Sequence, residues 1–496
     1  MTESTLLISL PMGILMGGAF VLYLASRLFG ARRALLAMLT TAVFGAALIF
    51  LAPLVGPSTA AFLDASALPL PEHGTAGSAF LRIEPGGLII AAIALVLGGC
   101  VAFYSGRYME RDPRYATYYP LLLLMVAGMI GVLTAADLFN LYIFLELMSV
   151  AAYVLVAFRH RRAEAIEAGF KYLIMGSVGT IVMLLGIALI YRESGTLTFP
   201  MAVTDPGPWQ RTGIACFVVG LGLKSAIVPL HTWLPDAYGS APSSISAILA
   251  GVISKSTLYM IPKTCLGLGL SPEALGLLLI WVSFLNMTLG NVLALLQTDT
   301  KRLLAYSSIA QTGYILFSLG VGLRYGVHEA IQAAIFLLLT HAVMKSLAFL
   351  SKGVSNFYLG TSTVTELSGT SAQLPLIAVT FSVALGGLAG VPPLAGFISK
   401  WFILGQALRP GTALVYAGLG LFLLNSLVAL AYYLPLIARL FSPPDPSGPG
   451  TGDRIRISAW MATPLILLAA LVIAIGVAPG TWWQWMAHVG PYLLGK

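Results

Sequence analysis

Five lysines inside long apolar stretches are the residues of this sequence best suited to chemistry. They are Lys171, Lys224, Lys255, Lys345 and Lys400, and the other basic residues fall in or beside short connections. A charged lysine at the centre of a bilayer costs about 2.5 to 3.5 kcal/mol even on a lenient insertion scale. Lys171 lies near a predicted helix start, from which its ammonium can reach the membrane surface. The other four lysines must therefore be paired or must face a wet interior.

One acidic residue, Glu146, and one histidine, His341, accompany the four deep lysines. A single carboxylate cannot neutralise four ammonium groups, so water or the loss of protons must balance the remaining charge. A buried lysine that releases and regains a proton near neutral pH is a relay element. His341 and Lys345 are four residues apart and share a helix face. We predict a proton relay through these residues; the alternative for each lysine or histidine is a structural bond between helices.

Prolines interrupt two apolar segments beside such lysines. Pro229 follows Lys224 by five residues, and the pair Pro392 and Pro393 precedes Lys400. A proline removes a backbone donor and frees carbonyl groups, which must then be buried in protein or line a water-filled cavity. We predict two broken helices, with Pro229, His231, Asp236, Pro392 and Pro393 in or beside the breaks as helix-break and gating residues. Ordinary kinks are the alternative.

The elements that must position these residues are membrane-spanning helices. The chain has 496 residues, of which 58% are hydrophobic and 9% charged, and its mean hydropathy is +0.90. These values exclude a soluble domain and predict an all-α polytopic membrane protein of about fourteen transmembrane helices. The predicted helices span residues 4–29, 32–55, 85–107, 115–133, 135–158, 164–191, 212–235, 241–268, 273–297, 301–322, 326–352, 374–407, 411–440 and 458–486.

The two broken segments are the seventh and twelfth in this count. A shift of five helices reverses orientation in the membrane, so the layout predicts two inverted five-helix repeats, helices 4–8 and 9–13. The expected divisions are residues 1–110 for helices 1–3, 111–270 for the first repeat, 271–441 for the second, and 442–496 for a connector and helix 14. Paired broken helices point to a transport site near the midplane.

The net charge of +8 reflects topology and does not indicate nucleic acid. Arg and Lys are about twice as frequent in connections after odd-numbered helices as in the others, which predicts that those connections are cytoplasmic and that both termini lie outside. The first segment lacks a signal-peptide pattern and is expected to be retained. The three cysteines are scattered, and no GxGxxG motif follows a strand, so we expect neither a cofactor nor a metal in this chain.

Six motifs between residues 137 and 401 carry a family resemblance. They are DLFNLYIFLE, GLKSAIVPLHTWLPDAY, APSSISAILAGVISKSTLY, DTKRLLAYSSIAQTGY, HAVMKSLAFLSKG and GVPPLAGFISKW. With them, the chain resembles the antiporter-like subunits of respiratory complex I, membrane-bound hydrogenases and Mrp-type cation/proton antiporters. The resemblance covers about residues 85 to 440. We expect the match to be nearest the D-like branch of the Mrp group, because of Lys400, the chain length and the ISKW motif.

The resemblance implies fourteen helices, inverted repeats and a hydrophilic axis along the membrane plane. It implies that Glu146 pairs with Lys224, that Lys255 is the central lysine, that His341 and Lys345 link the halves, and that Lys400 ends the relay. It also implies partners: other membrane subunits, including homologous antiporter-like ones, in the lipid bilayer.

Two functions remain open on this resemblance. The first is a non-catalytic, proton-pumping subunit of a redox-driven complex of NADH:quinone oxidoreductase or hydrogenase type, with the redox cofactors in partner subunits. The second is a subunit of an Mrp-type Na⁺(K⁺)/H⁺ antiporter without redox chemistry. A dedicated sodium site would need several oxygen ligands, and the sequence offers no clear cage, so the proton is the expected ion and Na⁺ the alternative. A scaffold with an idle axis is a third reading.

Overall fold

The structure is a computed structural model and describes residues 3–29, 32–54, 81–82, 84–199, 201, 206–443 and 453–494. Within these ranges the regular structure is helical, and pairing of extended backbone is limited to three isolated bridges. Eleven of the described helices are long and apolar enough to cross a membrane. This confirms the predicted all-α polytopic fold class.

Each predicted segment coincides with one helix or with one pair of half-helices. In chain order these are α1 (Glu3–Phe29), α2 (Arg33–Leu51), α3 (Pro85–Tyr108), α4 (Tyr115–Thr134), α5 (Leu138–Val156), α6 (Ala163–Ser194), α7a (Pro208–Lys224), α7b (Trp233–Ser240), α8 (Ser243–Gly267), α9 (Pro272–Leu295), α10 (Thr300–Tyr325), α11 (His328–Leu359), α12a (Pro375–Ala389), α12b (Ala395–Ala407), α13 (Ala413–Phe441) and α14 (Ala459–Val477). Two short helices follow, α15 (Pro479–Trp485) and α16 (Val489–Leu493).

Helices α8 and α11 form the centre of the molecule. The most apolar stretch of each is buried throughout, whereas the corresponding stretches of α1, α2, α6 and α13 are mostly open to the outside. Helix α11 contacts α8, α10, both halves of helix 12, and α14. The outward side chains of the peripheral helices are large and apolar, as lipid requires. The lysines on α8 and α11 are therefore the farthest from lipid.

Three predicted segments have wrong boundaries. The segment predicted over 326–352 begins at His328 and continues to Leu359. The segment predicted over 212–235 begins at Pro208, breaks after Lys224 and resumes over Trp233–Ser240. The segment predicted over 458–486 ends at Val477 and restarts at Pro479. A residue before proline is pushed out of the helical region, and Ala478 accordingly has φ −122° and ψ 64°.

Two corners of the chain are built alike. Asp137 caps the start of α5 and forms an isolated bridge with Thr198, beyond the end of α6. Asp299 caps the start of α10 and forms an isolated bridge with Thr363, beyond the end of α11. Helices α6 and α11 both end at a glycine with positive φ, 67° at Gly195 and 70° at Gly360. The two corners lie five helices apart.

Candidate proton-relay site

Lys224 lies at the end of α7a, against one face of α5. Its side chain is 2% exposed, and its Nζ donates to Ser149 Oγ at 2.7 Å and to Tyr153 Oη at 2.8 Å. Glu146 Oε1 lies 3.9 Å from the same Nζ. Glu146, Ser149 and Tyr153 are three and four residues apart, so α5 presents all three on one face. The predicted Glu146–Lys224 pair is thus assembled, with two hydroxyl groups nearer than the carboxylate.

The break after Lys224 has its backbone groups bonded inside the protein. Trp233 Nε1 donates to Leu223 O at 2.9 Å, and Val228 N donates to Asn286 Oδ1 at 3.3 Å. Ala226 has φ 53°, a conformation that an alanine rarely adopts and that costs of order 1 kcal/mol or more. Pro229 lies in this irregular segment. The segment is therefore held by its surroundings on α8 and α9 and is not a simple kink.

Asp236 on α7b forms ion pairs with residues of both α6 and α10. Its carboxylate lies 3.1 Å from Lys171 Nζ on α6 and 2.5 Å from Arg302 on α10. Lys171 also pairs with Glu167 at 2.7 Å and is half-exposed. His231 is half-buried beside Tyr306, with ring centroids 6.5 Å apart. The structure places both predicted gating residues next to α10, at the surface of the break.

Lys255 lies on α8 just after a π-helical stretch, Leu249–Ile253. Its side chain is fully buried, and Nζ donates to Ser254 Oγ at 3.0 Å. Single π turns inside α-helices occur frequently at functional sites because they shift the register of the side chains that follow. This π turn was not predicted from the sequence, in which Gly251 in the middle of the helix was the one available signal.

His341 and Lys345 are buried on α11, one turn apart. Lys345 Nζ donates to Leu304 O at 2.7 Å and to Ser307 Oγ at 2.5 Å, both on α10. Neither ring nitrogen of His341 has a hydrogen-bond partner among the described residues. Both Lys255 and Lys345 lie within electrostatic range of the imidazole. His341 is therefore close enough to interact electrostatically with the lysine of α8 and with that of α11.

Lys400 on α12b reaches back to the end of α12a. Its Nζ donates to Ala389 O at 3.1 Å and lies 5.3 Å from the centroid of the Tyr314 ring. A cation is favoured at a helix C-terminus, where unbonded carbonyl groups point outward. Gly390 has φ 91°, and a Cβ there would lie 3.2 Å from Lys400 Cδ, so the left-handed turn and the lysine together favour glycine. Pro392 and Pro393 complete the break.

The structure arranges Lys224, Lys255, Lys345 and Lys400, here called the lysine axis, on helices 7, 8, 11 and 12. It brings Glu146 to Lys224, but no described carboxylate forms an ion pair with Lys400. The sequence analysis missed several hydroxyl groups around the axis. Ser149 and Tyr153 could have been found by their helical spacing from Glu146, whereas Ser307 is brought to Lys345 only by the packing of α10 on α11.

Three lysines that the sequence analysis placed in or beside connections are in fact buried. Lys301 Nζ donates to the carbonyl oxygens of Gly239 and Ala241, and Lys352 Nζ donates to Thr361 O. Lys263 lies in α8 and pairs with Glu84 at 3.2 Å. These ammonium groups bind carbonyl groups at the ends of helices, which lets them leave the surface. Glu146, whose side chain is 31% exposed, is therefore not the only acid paired with a buried lysine, and Glu84, at 5%, is the more buried of the two.

Metal binding has no visible basis in the described part of the chain, where no three His, Cys, Asp or Glu residues cluster. Cys100 and Cys265 are buried, Cys216 is half-buried, and all three are free thiols. The side chains around the lysine axis supply ammonium, hydroxyl and imidazole groups. Such groups exchange protons and hydrogen-bond with water; they are not an oxygen cage for a metal ion.

Comparison with known proteins identifies a family and related complexes. The family model described as NADH:quinone oxidoreductase/Mrp antiporter, TM matches residues 135–425. NADH-quinone oxidoreductase subunit N from Desulforudis audaxviator is 34% identical over 423 residues, covering 80% of this chain and 81% of that one. The region matched by the family model, residues 135–425, contains all four lysines of the axis.

Two solved structures share the fold over nearly the whole chain. A chain of an archaeal respiratory complex, the membrane-bound sulfane sulfur reductase, superimposes with a TM-score of 0.85 at 27% identity, covering 98% of this chain and 97% of that one. A chain of the Mrp complex from Dietzia sp. has a TM-score of 0.86 at 23% identity, covering 100% and 98%, a likeness of fold alone. With more than half its length matched and a relative at 34% identity, the chain belongs to the NADH:quinone oxidoreductase/Mrp antiporter transmembrane family.

Proposed function

We propose that the chain is a proton-translocating membrane subunit of a multisubunit, redox-driven complex of the NADH:quinone oxidoreductase type. The observation that carries this proposal is the lysine axis: four buried lysines on two central and two broken helices, with a carboxylate at one end. Burying four ammonium groups would cost on the order of 10 kcal/mol on the lenient insertion scale if they were unpaired, and of the four only Lys224 has a carboxylate partner among the described residues. A role in carrying protons explains why the chain keeps lysines at positions where burial is unfavourable.

The relay runs from the first broken helix to the second. Glu146 holds the charge of Lys224, and separation of the two groups drives the proton from Lys224 towards Lys255. His341, whose ring nitrogens lack hydrogen-bond partners among the described residues and whose imidazole lies within electrostatic range of Lys255 and Lys345, accepts and donates in turn. Lys345 then passes the proton to Lys400 at the second break. Electron transfer takes place in partner subunits, which hold the redox cofactors.

The two matching corners support the inverted repeats. Asp137 with Thr198 and Asp299 with Thr363 occupy equivalent places when the chain is shifted by five helices, as residues 111–270 and 271–441 require. The excess of basic residues in connections after odd-numbered helices orients the chain in a prokaryotic inner membrane with both termini outside.

The second candidate is a D-like subunit of an Mrp-type antiporter that exchanges Na⁺ or K⁺ for protons. The shared family and the fold of the Dietzia chain favour keeping this candidate. The redox reading ranks first because the curated relative and the archaeal respiratory neighbour, both above 25% identity, belong to redox complexes.

The first experiment isolates the chain from native membranes in a mild detergent and identifies its companions by mass and by visible and EPR spectra. Iron–sulfur or flavin subunits in fixed ratio are expected. If only small cofactor-free membrane proteins co-purify, the antiporter reading replaces the redox reading.

The second experiment tests the relay itself. The complex is reconstituted in vesicles containing a pH-sensitive dye, and acidification is measured during NADH oxidation by a quinone. Lys224→Ala is expected to remove the contribution of this subunit to protons moved per NADH. An unchanged ratio in this variant would sink the relay.

A further inference from the structure

Helix α8 carries a second line of polar side chains that the relay does not use. Lys255, Tyr259 and Lys263 follow one another at intervals of four residues and therefore share a helix face. All three are buried. Eight residues at about 1.5 Å each place Lys263 about 12 Å further along the helix than Lys255. The line leads from the middle of the lysine axis to the membrane face at which α8 ends.

A buried Lys–Glu pair lies at the end of this line. Lys263 Nζ is 3.2 Å from Glu84 Oε1, and the two side chains are 4% and 5% exposed. Lys263 Nζ also donates to Leu133 O at 3.3 Å and to Ala135 O at 3.2 Å. Lys255 is thus flanked by two Lys–Glu pairs, this one and Lys224–Glu146. The Lys263–Glu84 pair is the more deeply buried and the shorter of the two.

Two polar atoms beside this pair, Tyr259 Oη and Glu84 Oε2, are buried and complete no well-formed hydrogen bond among the described residues, although the Tyr259 and Tyr492 hydroxyls lie within interaction range of the Glu84 carboxyl group. Leaving a buried polar atom unpaired costs about 1 to 3 kcal/mol. Tyr259 Oη lies against Gly86, two residues after Glu84, and a Cβ at Gly86 would be only 2.6 Å from it. A glycine therefore leaves room for the hydroxyl close to the carboxylate, and each unpaired atom is open to exchange with water or a passing proton.

We propose that Tyr259 and the Lys263–Glu84 pair form a branch of the proton path that connects Lys255 to the membrane face at which α8 ends. This branch rests on the proposed function, because its protons come from the lysine axis. A proton leaves the Lys255 ammonium, the Tyr259 hydroxyl accepts it while releasing its own, and Glu84 becomes a neutral carboxyl group. The Lys263 ammonium favours the ionised carboxylate, so Glu84 then releases the proton to water at the membrane face and returns to its starting state.

A purely structural pair makes a different prediction. If Lys263 and Glu84 only fasten α8 to the chain before α3, the Tyr259 hydroxyl is dispensable, since it lies within range of the Glu84 carboxylate without completing a well-formed hydrogen bond to the described residues. Tyr259→Phe separates the two readings because it removes the hydroxyl and keeps the packed ring.

The test uses the whole complex, purified with this chain and reconstituted in vesicles, with NADH as donor, a quinone as acceptor and a pH-sensitive dye inside. Lys255→Ala is expected to lower the number of protons moved per NADH. Tyr259→Phe is expected to lower it by at least half as much, with subunit composition unchanged. The matched control is Tyr104→Phe, another buried tyrosine, whose hydroxyl donates to Leu350 O at 3.0 Å. This control is expected to match the wild-type ratio.

Three outcomes are decisive. A wild-type ratio for Tyr259→Phe, together with a loss for Lys224→Ala, overturns the branch and leaves the proposed function standing. A wild-type ratio for Lys224→Ala overturns both. If Tyr259→Phe does not assemble, Glu84→Gln replaces it: the amide keeps the size of the side chain but cannot take up the relayed proton, so the same loss is expected and a wild-type ratio refutes the branch.

Discussion

The two broken helices hold their lysines in different ways. Both ammonium groups lie at the end of the first half-helix: Lys224 is the last residue of α7a, and Lys400 reaches from α12b to Ala389 O at the end of α12a. Lys224 has a carboxylate at 3.9 Å and two hydroxyl acceptors within 3 Å. Lys400 has one carbonyl acceptor and an aromatic ring.

This difference assigns different tasks to the two breaks. A site with a counter-charge and hydroxyl groups stabilises a lysine that stays protonated until the pair separates. A site with one carbonyl and a ring stabilises the charged lysine less, and such a lysine can receive a proton and pass it on. We infer that the first break stores charge and the second releases it.

The largest expected effect comes from removing either lysine. Lys224→Met and Lys400→Met keep an apolar side chain of similar length but remove the exchangeable proton, so each is expected to abolish the share of translocation carried by this subunit. Protons moved per NADH in reconstituted vesicles measure this share. Lys171→Met, at a half-exposed lysine on α6, is the control and is expected to retain translocation. If Lys400→Met kept the wild-type number of protons per NADH while Lys224→Met did not, Lys400 would not belong to the relay, which would then end at Lys345 on α11.

Glu146→Gln makes the first break resemble the second. Removing one partner of a fully buried ion pair costs about 3 to 5 kcal/mol if the remaining charge stays. The cost is smaller here because the Glu146 side chain is 31% exposed, but Lys224 is 2% exposed and is expected to give up its charge more readily. We expect a fall in the translocation rate of at least tenfold, equivalent to about 1.4 kcal/mol. Glu167→Gln on exposed α6 is the control. Equal rates in the two variants would contradict a storage role for the first break.

Two tyrosines provide a matched pair. Tyr153 lies beside Lys224 and Tyr314 lies beside Lys400. In each pair the distance from the ring centroid to the lysine Nζ is 5.3 Å. Only Tyr153 accepts a hydrogen bond from its lysine, at 2.8 Å, whereas the Tyr314 hydroxyl accepts from Asn291 at 3.2 Å.

A hydrogen bond to a charged group contributes about 1.5 to 3 kcal/mol. Because Ser149 still accepts one from Lys224, the loss in Tyr153→Phe is expected to be smaller, about 1 kcal/mol, which would slow translocation about fivefold. Tyr314→Phe is expected to change the rate less than twofold, since the ring over Lys400 remains. Initial rates of vesicle acidification measure both. The reverse order would show that the two lysines are held by the same interaction.

The smallest expected effect concerns how the half-helices are fixed. Asp236 ties α7b to Lys171 and Arg302 through partly exposed ion pairs, whereas α12b is joined to α11 by the hydroxyls of Thr340 and Ser399, 2.7 Å apart. Exposed pairs contribute up to about 1 kcal/mol each and weaken in salt. Asp236→Asn is expected to lower the melting temperature of the purified complex by a few degrees at low salt and by less in 1 M salt. A salt-independent shift would show that Asp236 acts through packing.

Much of the site was predictable because membrane burial leaves few places for charge. The apolar runs gave the helix count and the positions of the lysines, and the prolines gave both breaks. Helix ends were less certain, as at Ala478, where the residue before a proline decides the boundary. Lys263 was misplaced, and Glu84 was not singled out, because a lysine or glutamate at the edge of an apolar run is interpreted as a surface residue until its partner is known.

The sequence by itself determined that this is a membrane protein with broken helices beside buried lysines, because hydropathy and proline act locally along the chain. Only the tertiary structure decided what each lysine contacts: hydroxyl groups and a carboxylate at Lys224, an α10 carbonyl and a hydroxyl at Lys345, and a helix end at Lys400. Such partners come from helices far apart in the chain, and packing, rather than local spacing, brings them together.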